Sequence, residues 1–296
     1  MPLLPVDGAE LCYEDTDDGV ATILFSHGLH WSLRMFDAQV AHLPGRYRCV
    51  AYDHRGQGQS RDDGSPYDME RLTEDAAQVI EKLGLAPCVF VGLSMGGFVG
   101  LRLAARRPEL LRGLVLVESA ADREPRANVP KYRAMELITR RIGFRPLLPP
   151  IMKIMFSRSF LRDPARAVER RAIEQSILAL DPARTGRALE AVVTRSGVEH
   201  LLPLIRVPTL VLHDAIGPSP DRAGGLRAVC RGSPRHPARS RRCARRPAPQ
   251  RSSRRPGGSP WDSRATSVLA PPRRAWRGPP LRRAPQGERQ VIAHAT

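Results

Sequence analysis

The stretch VGLSMGG (Val91–Gly97) contains the residue types that nucleophilic catalysis needs. In its Gly-x-Ser-x-Gly pattern, Gly92 and Gly96 lie two positions to either side of Ser94. An apolar, strand-like run precedes the pattern, and a helix-like run of small apolar residues follows it. In this context the pattern is typical of a nucleophile elbow, a strained turn that raises the serine Oγ above a sheet edge. We therefore predict that Ser94 is a nucleophile; a small-residue turn without catalytic function is the alternative.

Two further glycine-containing stretches follow earlier strand-like runs. SHGLHWS (Ser26–Ser32) contains His-Gly at the end of a strand, where a loop can direct a backbone N–H toward Ser94. The N–H groups of Leu29 and Met95 would then form an oxyanion hole for the charge of a tetrahedral intermediate. YDHRGQGQS (Tyr52–Ser60) lacks the lysine of a phosphate-binding P-loop and the GxGxxG spacing. We interpret it as a structural turn beside the site.

These three motifs together resemble those of the α/β-hydrolase superfamily, and specifically its esterase and lactonase branch, which includes 3-oxoadipate enol-lactonases. They are His-Gly-x, Asp-x-Arg-Gly-x-Gly-x-Ser and Gly-x-Ser-Met-Gly-Gly, in that order, and the resemblance extends from about Pro5 to Asp214. It implies an eight-stranded, mostly parallel sheet, a helical cap after the sixth strand and a Ser–acid–His triad without a cofactor. The serine at the elbow, where an aspartate would form the ester, argues against the dehalogenase and epoxide-hydrolase branches.

The resemblance also assigns the acid of the triad to the strand that follows the cap. In PTLVLHDAIGP, Asp214 follows the strand directly and precedes Pro218 by four residues, although about three turn residues of the family pattern are absent. We predict Asp214 as the acid, with a turn-forming aspartate as the alternative. Glu118 in LVLVESA is a second candidate, because some members of the superfamily place the carboxylate after this earlier strand.

The general base is not evident from the sequence. The family supplies a histidine in a loop after a final strand, but the histidines after Asp214 are His236, in SPRHPARS, and His294, in VIAHAT. Neither follows an apolar run. His236 lies at roughly the expected distance and is the candidate, so two interpretations remain: a complete serine hydrolase, or a catalytically impaired homologue without the triad histidine.

Alternating strand-like and helix-like patterns predict a mostly parallel sheet with flanking helices. We expect residues 1–120 to form the first part of the core, 121–204 a helical cap, and 205–214 a core strand with the acid turn. Within the cap, DPAR occurs at Asp163–Arg166 and again at Asp181–Arg184. Aspartate before proline is a strong helix start, so two consecutive helices are predicted there. The strand-like runs are Ala21–Gly28, Tyr47–Asp53, Pro87–Gly92, Leu111–Ser119 and Pro208–His213.

The remaining residues, 215–296, differ from the rest in composition. They contain 19 Arg, no Lys and 3 acidic residues, so this tail carries almost all of the net charge of +17. Leu, Ile, Val and Phe contribute 8 of its 82 residues and Pro contributes 13, a composition typical of disorder. Since the chain has 44 Arg and 3 Lys, we interpret the tail as the product of a shifted reading frame in GC-rich DNA. A nucleic-acid-binding basic tail is the weaker alternative.

The same sequence bears on location and on bound groups. The five cysteines show no zinc-type spacing, and we expect neither a metal nor a cofactor. The first residues lack the basic and apolar regions of a signal peptide, and no apolar run is long enough to span a bilayer. We therefore expect a cytoplasmic enzyme that acts on a small-molecule ester or lactone.

Overall fold

The structure is a computed structural model that describes residues 1–43 and 45–213. The predictions for Asp214, His236 and the tail at 215–296 therefore lie outside the described residues. A single eight-stranded sheet organises the described part, with the order β1-β2-β4-β3-β6-β7-β8 and with β5 paired to β2. The strands are β1 (Leu3–Val6), β2 (Ala9–Asp15), β3 (Thr22–Ser26), β4 (Arg48–Tyr52), β5 (Arg61–Asp62), β6 (Cys88–Leu93), β7 (Leu111–Val117) and β8 (Thr209–Leu212).

The five strands β4, β3, β6, β7 and β8 are parallel, and β1, β2 and β5 pair antiparallel at one side of the sheet. Because parallel strands all end at the same edge, the residues that follow β3, β6, β7 and β8 lie in neighbouring positions along it. The central strands are apolar and buried: Leu24, Val50, Phe90 and Leu116 are fully enclosed. The sheet thus places its carboxyl edge on a rigid core.

The helices are α1 (Asp37–Ala41), α2 (Met69–Lys82), α3 (Met95–Arg106), α4 (Val129–Ile142), α5 (Leu148–Met155), α6 (Arg158–Arg162), α7 (Ala167–Leu178) and α8 (Pro182–Val193). The sequence explains the bounds of α2. The Asp68 side chain accepts a hydrogen bond of 2.9 Å from Arg71 N at its start, and Gly84, just past its end, has a φ of +61°. The buried face of α2 packs with α3 in the main core.

Helices α4–α8 lie between β7 and β8 in the chain. The second DPAR begins α8: the Asp181 carboxylate accepts from Ala183 N at 2.8 Å and from Arg184 N at 2.9 Å. The first DPAR behaves differently, because Asp163 caps a 3₁₀ turn, Pro164–Arg166, from which α7 continues. Both predicted helix starts are therefore present, the first through a short 3₁₀ turn.

The two ends of this helical segment meet beside α3. Val198 N donates a hydrogen bond of 2.7 Å to Ala121 O, and the Arg195 guanidinium lies 3.0 Å from the Glu124 carboxylate. Arg102 of α3, itself buried, donates to Ser196 O at 2.8 Å. The segment thus enters and leaves the core at adjacent points.

The predicted architecture, a mostly parallel sheet between helices with a helical segment after the sixth long strand, is confirmed. The sequence interpretation did not include the β1–β2 hairpin. Its turn is Asp7-Gly8, where Gly8 has a φ of +70°, and Asp-Gly is a known signal for a two-residue hairpin turn. None of the helices described is long and apolar enough to cross a membrane.

Candidate active site

Ser94 occupies the junction of β6 and α3 in a strained conformation. Its φ is +47° and its ψ is −108°, which a non-glycine residue adopts only where the surroundings enforce it. The neighbouring glycines allow this turn because a Cβ on Gly92 would overlap Gly96 O, and one on Gly96 would overlap Ser26 O. Ser94 N donates to Val117 O at 2.8 Å, which joins the turn to β7. The tight turn that the Gly-x-Ser-x-Gly pattern predicts is therefore present.

The loop after β3 lies directly against this turn. Ser26 pairs with Gly92 across β3 and β6, and a Cβ on Gly28 would come within 2.7 Å of Leu93 Cδ2. Leu29 follows and packs partly buried against the main core. Met95 is the first residue of α3, so its N–H belongs to the helical turn that has no intrahelical acceptor. The structure thus brings the loop of Leu29 and the helix start at Met95 together beside Ser94.

A buried polar network lies beneath this loop. His54 N donates to His27 Nε2 at 3.1 Å, so His27 carries its proton on Nδ1 and donates to Gly28 O at 2.7 Å. On the other side, His54 Nε2 lies 3.0 Å from Ser26 Oγ, which in turn lies 3.3 Å from Tyr52 Oη. These bonds fix the backbone on both sides of the His-Gly pair.

Asp53 connects the loop to the glycine-rich turn. Its carboxylate accepts from Leu33 N at 2.7 Å and from Gln59 N at 2.8 Å, and Ser60 Oγ donates to its backbone O at 2.7 Å. A Cβ on Gly58 would overlap the Asp53 carboxylate, which explains the glycine there. In the described residues YDHRGQGQS thus acts as a structural turn, in agreement with its interpretation from sequence.

The histidines near the loop are neutral at physiological pH. Burial lowers the pKa of His27, against the opposing effect of Asp53, and burial lowers the pKa of His54 well below its usual range. Burial also lowers the pKa of His30 to about 4. None of the three therefore adds a positive charge beside Ser94 near pH 7.

Apolar side chains from the helical segment cover the loop. The His30 ring meets Phe144 edge to face with centroids 5.8 Å apart, and Trp31 meets Phe156 in the same way at 6.0 Å. Behind them is a second core, separate from that of the sheet, formed by Phe144, Leu147, Ile151, Met152, Met155 and Ile177. This second core belongs to the helical segment between β7 and β8, and Phe144 at its edge contacts the loop beside Ser94.

Of the predicted site residues, Ser94, Leu29 and Met95 come together, and Asp214 and His236 lie outside the described residues. Glu118, the alternative acid, follows β7 directly, with a φ of +47°. Beside it lies a residue that the sequence interpretation missed, His213, whose Nδ1 is 3.0 Å from Glu118 Oε2. The histidine is part of the strand-like run PTLVLH, and its position at the end of that run was the available signal.

No group of three or more His, Cys, Asp or Glu side chains able to hold a metal occurs in residues 1–43 and 45–213. The three cysteines described, Cys12, Cys49 and Cys88, are buried free thiols. Burial raises the pKa of each above its ordinary value, so they are not activated nucleophiles. The strained serine is the nucleophile candidate that the sheet edge presents.

A parallel sheet with a strained serine between a strand and a helix, facing a loop from a neighbouring strand, defines a class of hydrolase. The profile of the family described as alpha/beta hydrolase fold matches residues 21–230. The chain belongs to this family.

Its relatives include lactonases and esterases. 3-Oxoadipate enol-lactonase 2 of Acinetobacter baylyi is 27% identical over 203 residues, which cover 69% of this chain and 74% of that protein. A pimeloyl-(acyl-carrier protein) methyl ester esterase of Neisseria meningitidis is 30% identical over 206 residues, which cover 68% of this chain and 78% of that protein. Among solved structures, the enol-lactonase of Burkholderia xenovorans is 28% identical with a TM-score of 0.69, covering 79% of this chain and 88% of that one. The predicted relationship to enol-lactonases and esterases is confirmed.

Proposed function

We propose that the protein is a serine hydrolase that cleaves a carboxylic ester or a lactone through an acyl-enzyme at Ser94. The observation that carries this proposal is the strained backbone of Ser94, because strain of this kind concentrates at functional sites. The names of the relatives, a lactonase and a methyl ester esterase, support this substrate class.

In this mechanism the Ser94 oxygen attacks the carbonyl carbon, and the negative charge on the carbonyl oxygen is held by two backbone N–H groups. We assign these groups to Leu29 and Met95. The buried bonds of His27 and His54 keep the Leu29 loop in place, so the donors need not reorganise as the charge develops. Donors fixed in this way typically contribute about 3 kcal/mol of transition-state stabilisation each.

The loop and the helical segment supply the surroundings of the acyl group. Trp31 and Phe156 present aromatic surface there, and His30 is neutral near pH 7 because burial lowers its pKa. A wall of this kind favours an uncharged, apolar acyl group. The proposed substrates are therefore esters or lactones whose acyl part carries no charge next to the carbonyl.

The test is labelling by a fluorophosphonate probe, with the modified residue located by mass spectrometry. We expect stoichiometric labelling at Ser94, none in Ser94→Ala, and unchanged labelling in Ser176→Ala, a control on the exposed side of α7. Hydrolysis of p-nitrophenyl butyrate and γ-butyrolactone should disappear with the label in Ser94→Ala. A folded wild-type protein that is not labelled would contradict the proposal and favour the catalytically impaired homologue.

A further inference from the structure

The carboxyl ends of three neighbouring strands bring Ser94, Glu118 and His213 to one level of the sheet. In the parallel register, Leu93 pairs with Val117 in β6 and β7, and Val117 pairs with Leu212 in β7 and β8. Ser94, Glu118 and His213 are the residues that come directly after Leu93, Val117 and Leu212. Ordered hydrogen bonds hold that level, since Ser94 N donates to Val117 O at 2.8 Å and Glu118 N to Leu212 O at 3.0 Å.

Glu118 and His213 form a close pair at this level. His213 Nδ1 lies 3.0 Å from Glu118 Oε2, and the two side chains are 18% and 9% exposed. The two atoms are at ion-pair distance only, because Nδ1 has no hydrogen-bond partner among the described residues. Catalytic hydrogen bonds in unliganded enzymes are often loose in this way and tighten with substrate. With Nδ1 facing a carboxylate, the ring keeps Nε2 as its second, proton-accepting nitrogen.

Backbone strain marks the same edge. Among the described residues, four non-glycine positions have a positive φ, and three of them, His30, Ser94 and Glu118, follow β3, β6 and β7 at their carboxyl ends. Glu118 matches Ser94 with a φ of +47°. A glutamate that only ended a strand or made a surface ion pair would not require this conformation, and exposed ion pairs stabilise a fold very little.

The geometry points to His213 as the general base for Ser94, with Glu118 as the carboxylate that positions it. This inference rests on the proposed function. Neighbouring strands are about 4.8 Å apart, so the Cα atoms of Ser94 and His213, with one strand between them, are separated by about 10 Å. In the described structure no hydrogen bond joins His213 Nε2 to Ser94 Oγ, so the inference requires the two side chains to approach each other when substrate binds.

The proposed proton transfers follow the order known for serine hydrolases. As the bond between Ser94 Oγ and the carbonyl carbon forms, the hydroxyl proton passes to His213 Nε2, and Glu118 stabilises the imidazolium through Nδ1–H. The imidazolium then protonates the departing alkoxide as the ester C–O bond breaks. In the second half, water transfers a proton to the same nitrogen as its oxygen bonds the acyl carbon. The imidazolium then returns that proton to Ser94 Oγ as the bond between Oγ and the acyl carbon breaks and the acid leaves. The chain would thus need neither Asp214 nor His236 for the reaction.

The experiment measures fluorophosphonate labelling and ester hydrolysis in full-length His213→Ala, Glu118→Gln, Asp214→Asn and His236→Ala, each with its thermal unfolding midpoint. We expect His213→Ala to lose about 10²- to 10⁴-fold in rate, the range for general acid–base catalysis, with Glu118→Gln losing less. Asp214→Asn and His236→Ala test the acid and the base predicted from the sequence, so they compare the two assignments directly. Added imidazole should restore part of the rate in His213→Ala and none in Glu118→Gln, a rescue that a purely structural role would not show.

The result separates this inference from the proposed function. Wild-type labelling that persists in a folded His213→Ala overturns the base assignment and leaves the serine hydrolase intact. Loss of the rate in His236→Ala or Asp214→Asn at wild-type stability likewise overturns it. If the wild-type protein itself is not labelled, the proposed function fails and this inference fails with it.

Discussion

The helices α3 and α7 have the same length, 12 residues, and very different surroundings. Ten residues of α3 are buried, whereas in α7 only Ile177 is. Helices of this length are marginal in isolation, so packing fixes α3, while α7 depends on local bonds such as the pair between Arg166 and Glu169. We infer that the helical segment opens more easily than the sheet, and that Ser94 is held by the rigid part while Phe144 and Phe156 belong to the looser one.

The largest difference between the sheet region and the helical segment is expected from a Gly→Ala substitution in one helix of each. In α3, Gly96→Ala places a Cβ on the Ser26 carbonyl, and neither backbone can move without disturbing the sheet. We expect a loss of about 3 kcal/mol or more in the free energy of unfolding, measured by urea denaturation. In α8, Gly186→Ala meets only the end of the Glu136 side chain at 3.1 Å.

Because alanine favours a helix over glycine, Gly186→Ala should be neutral or stabilising by up to about 1 kcal/mol. Equal losses in the two variants would mean that the helical segment is packed as tightly as the core, and the proposed contrast would be wrong.

A second, smaller effect concerns His30, which lies where the two regions meet. Burial lowers its pKa from 6.5 to about 4 in the folded protein. At a pH between these two pKa values, His30 carries a proton in the unfolded chain and does not carry it in the folded chain. The free energy of unfolding therefore falls as pH is lowered from about 6.5 to about 4. His30→Asn, which tolerates the positive φ, should reduce this slope by up to one proton.

His42→Asn is the matched control, because it makes the same substitution at an exposed histidine. The measurement is urea denaturation at several pH values. A slope that His30→Asn does not alter would show that the loop opens before it is titrated, and would place His30 in the looser region.

The smallest effect is expected within the helical segment itself. Asp181→Ala removes a carboxylate that accepts from two backbone N–H groups of α8 and should cost about 1 kcal/mol. Asp163→Ala removes a single such bond from a 3₁₀ turn and should cost less. Amide hydrogen exchange should report the change in α8 and leave α3 protected. A matching loss of protection in α3 would mean that the two regions unfold as one unit.

The features that the sequence could predict are those that depend on contacts within one turn or at one helix end. The elbow at Ser94 was predictable because the glycine spacing reflects contacts within one turn, between Gly92, Gly96 and the neighbouring strand. The aspartate caps of the helical segment were predictable for the same local reason. The β1–β2 hairpin had a local signal as well, Asp7-Gly8, that was not used.

The pairing of Glu118 with His213 was not predictable from local pattern. It depends on the strand order that places β8 beside β7, although a long helical segment separates them in the chain. In the sequence PTLVLH, the histidine is recognisable only as the last residue of a strand-like run. Burial lowers the pKa of His30, and Phe144, a residue from the helical segment, contacts its ring, so the loop sequence alone does not indicate its neutral state.

The adjacent ends of the helical segment have a consequence for the variety of this family. Because Ala121 and Val198 are joined by one hydrogen bond, a short link can replace everything between them without moving β7 or β8. The helical segment can therefore be exchanged while the sheet that carries Ser94 stays unchanged. Diversification of substrates can proceed by replacing this segment, while the serine, its strand and its helix stay in register.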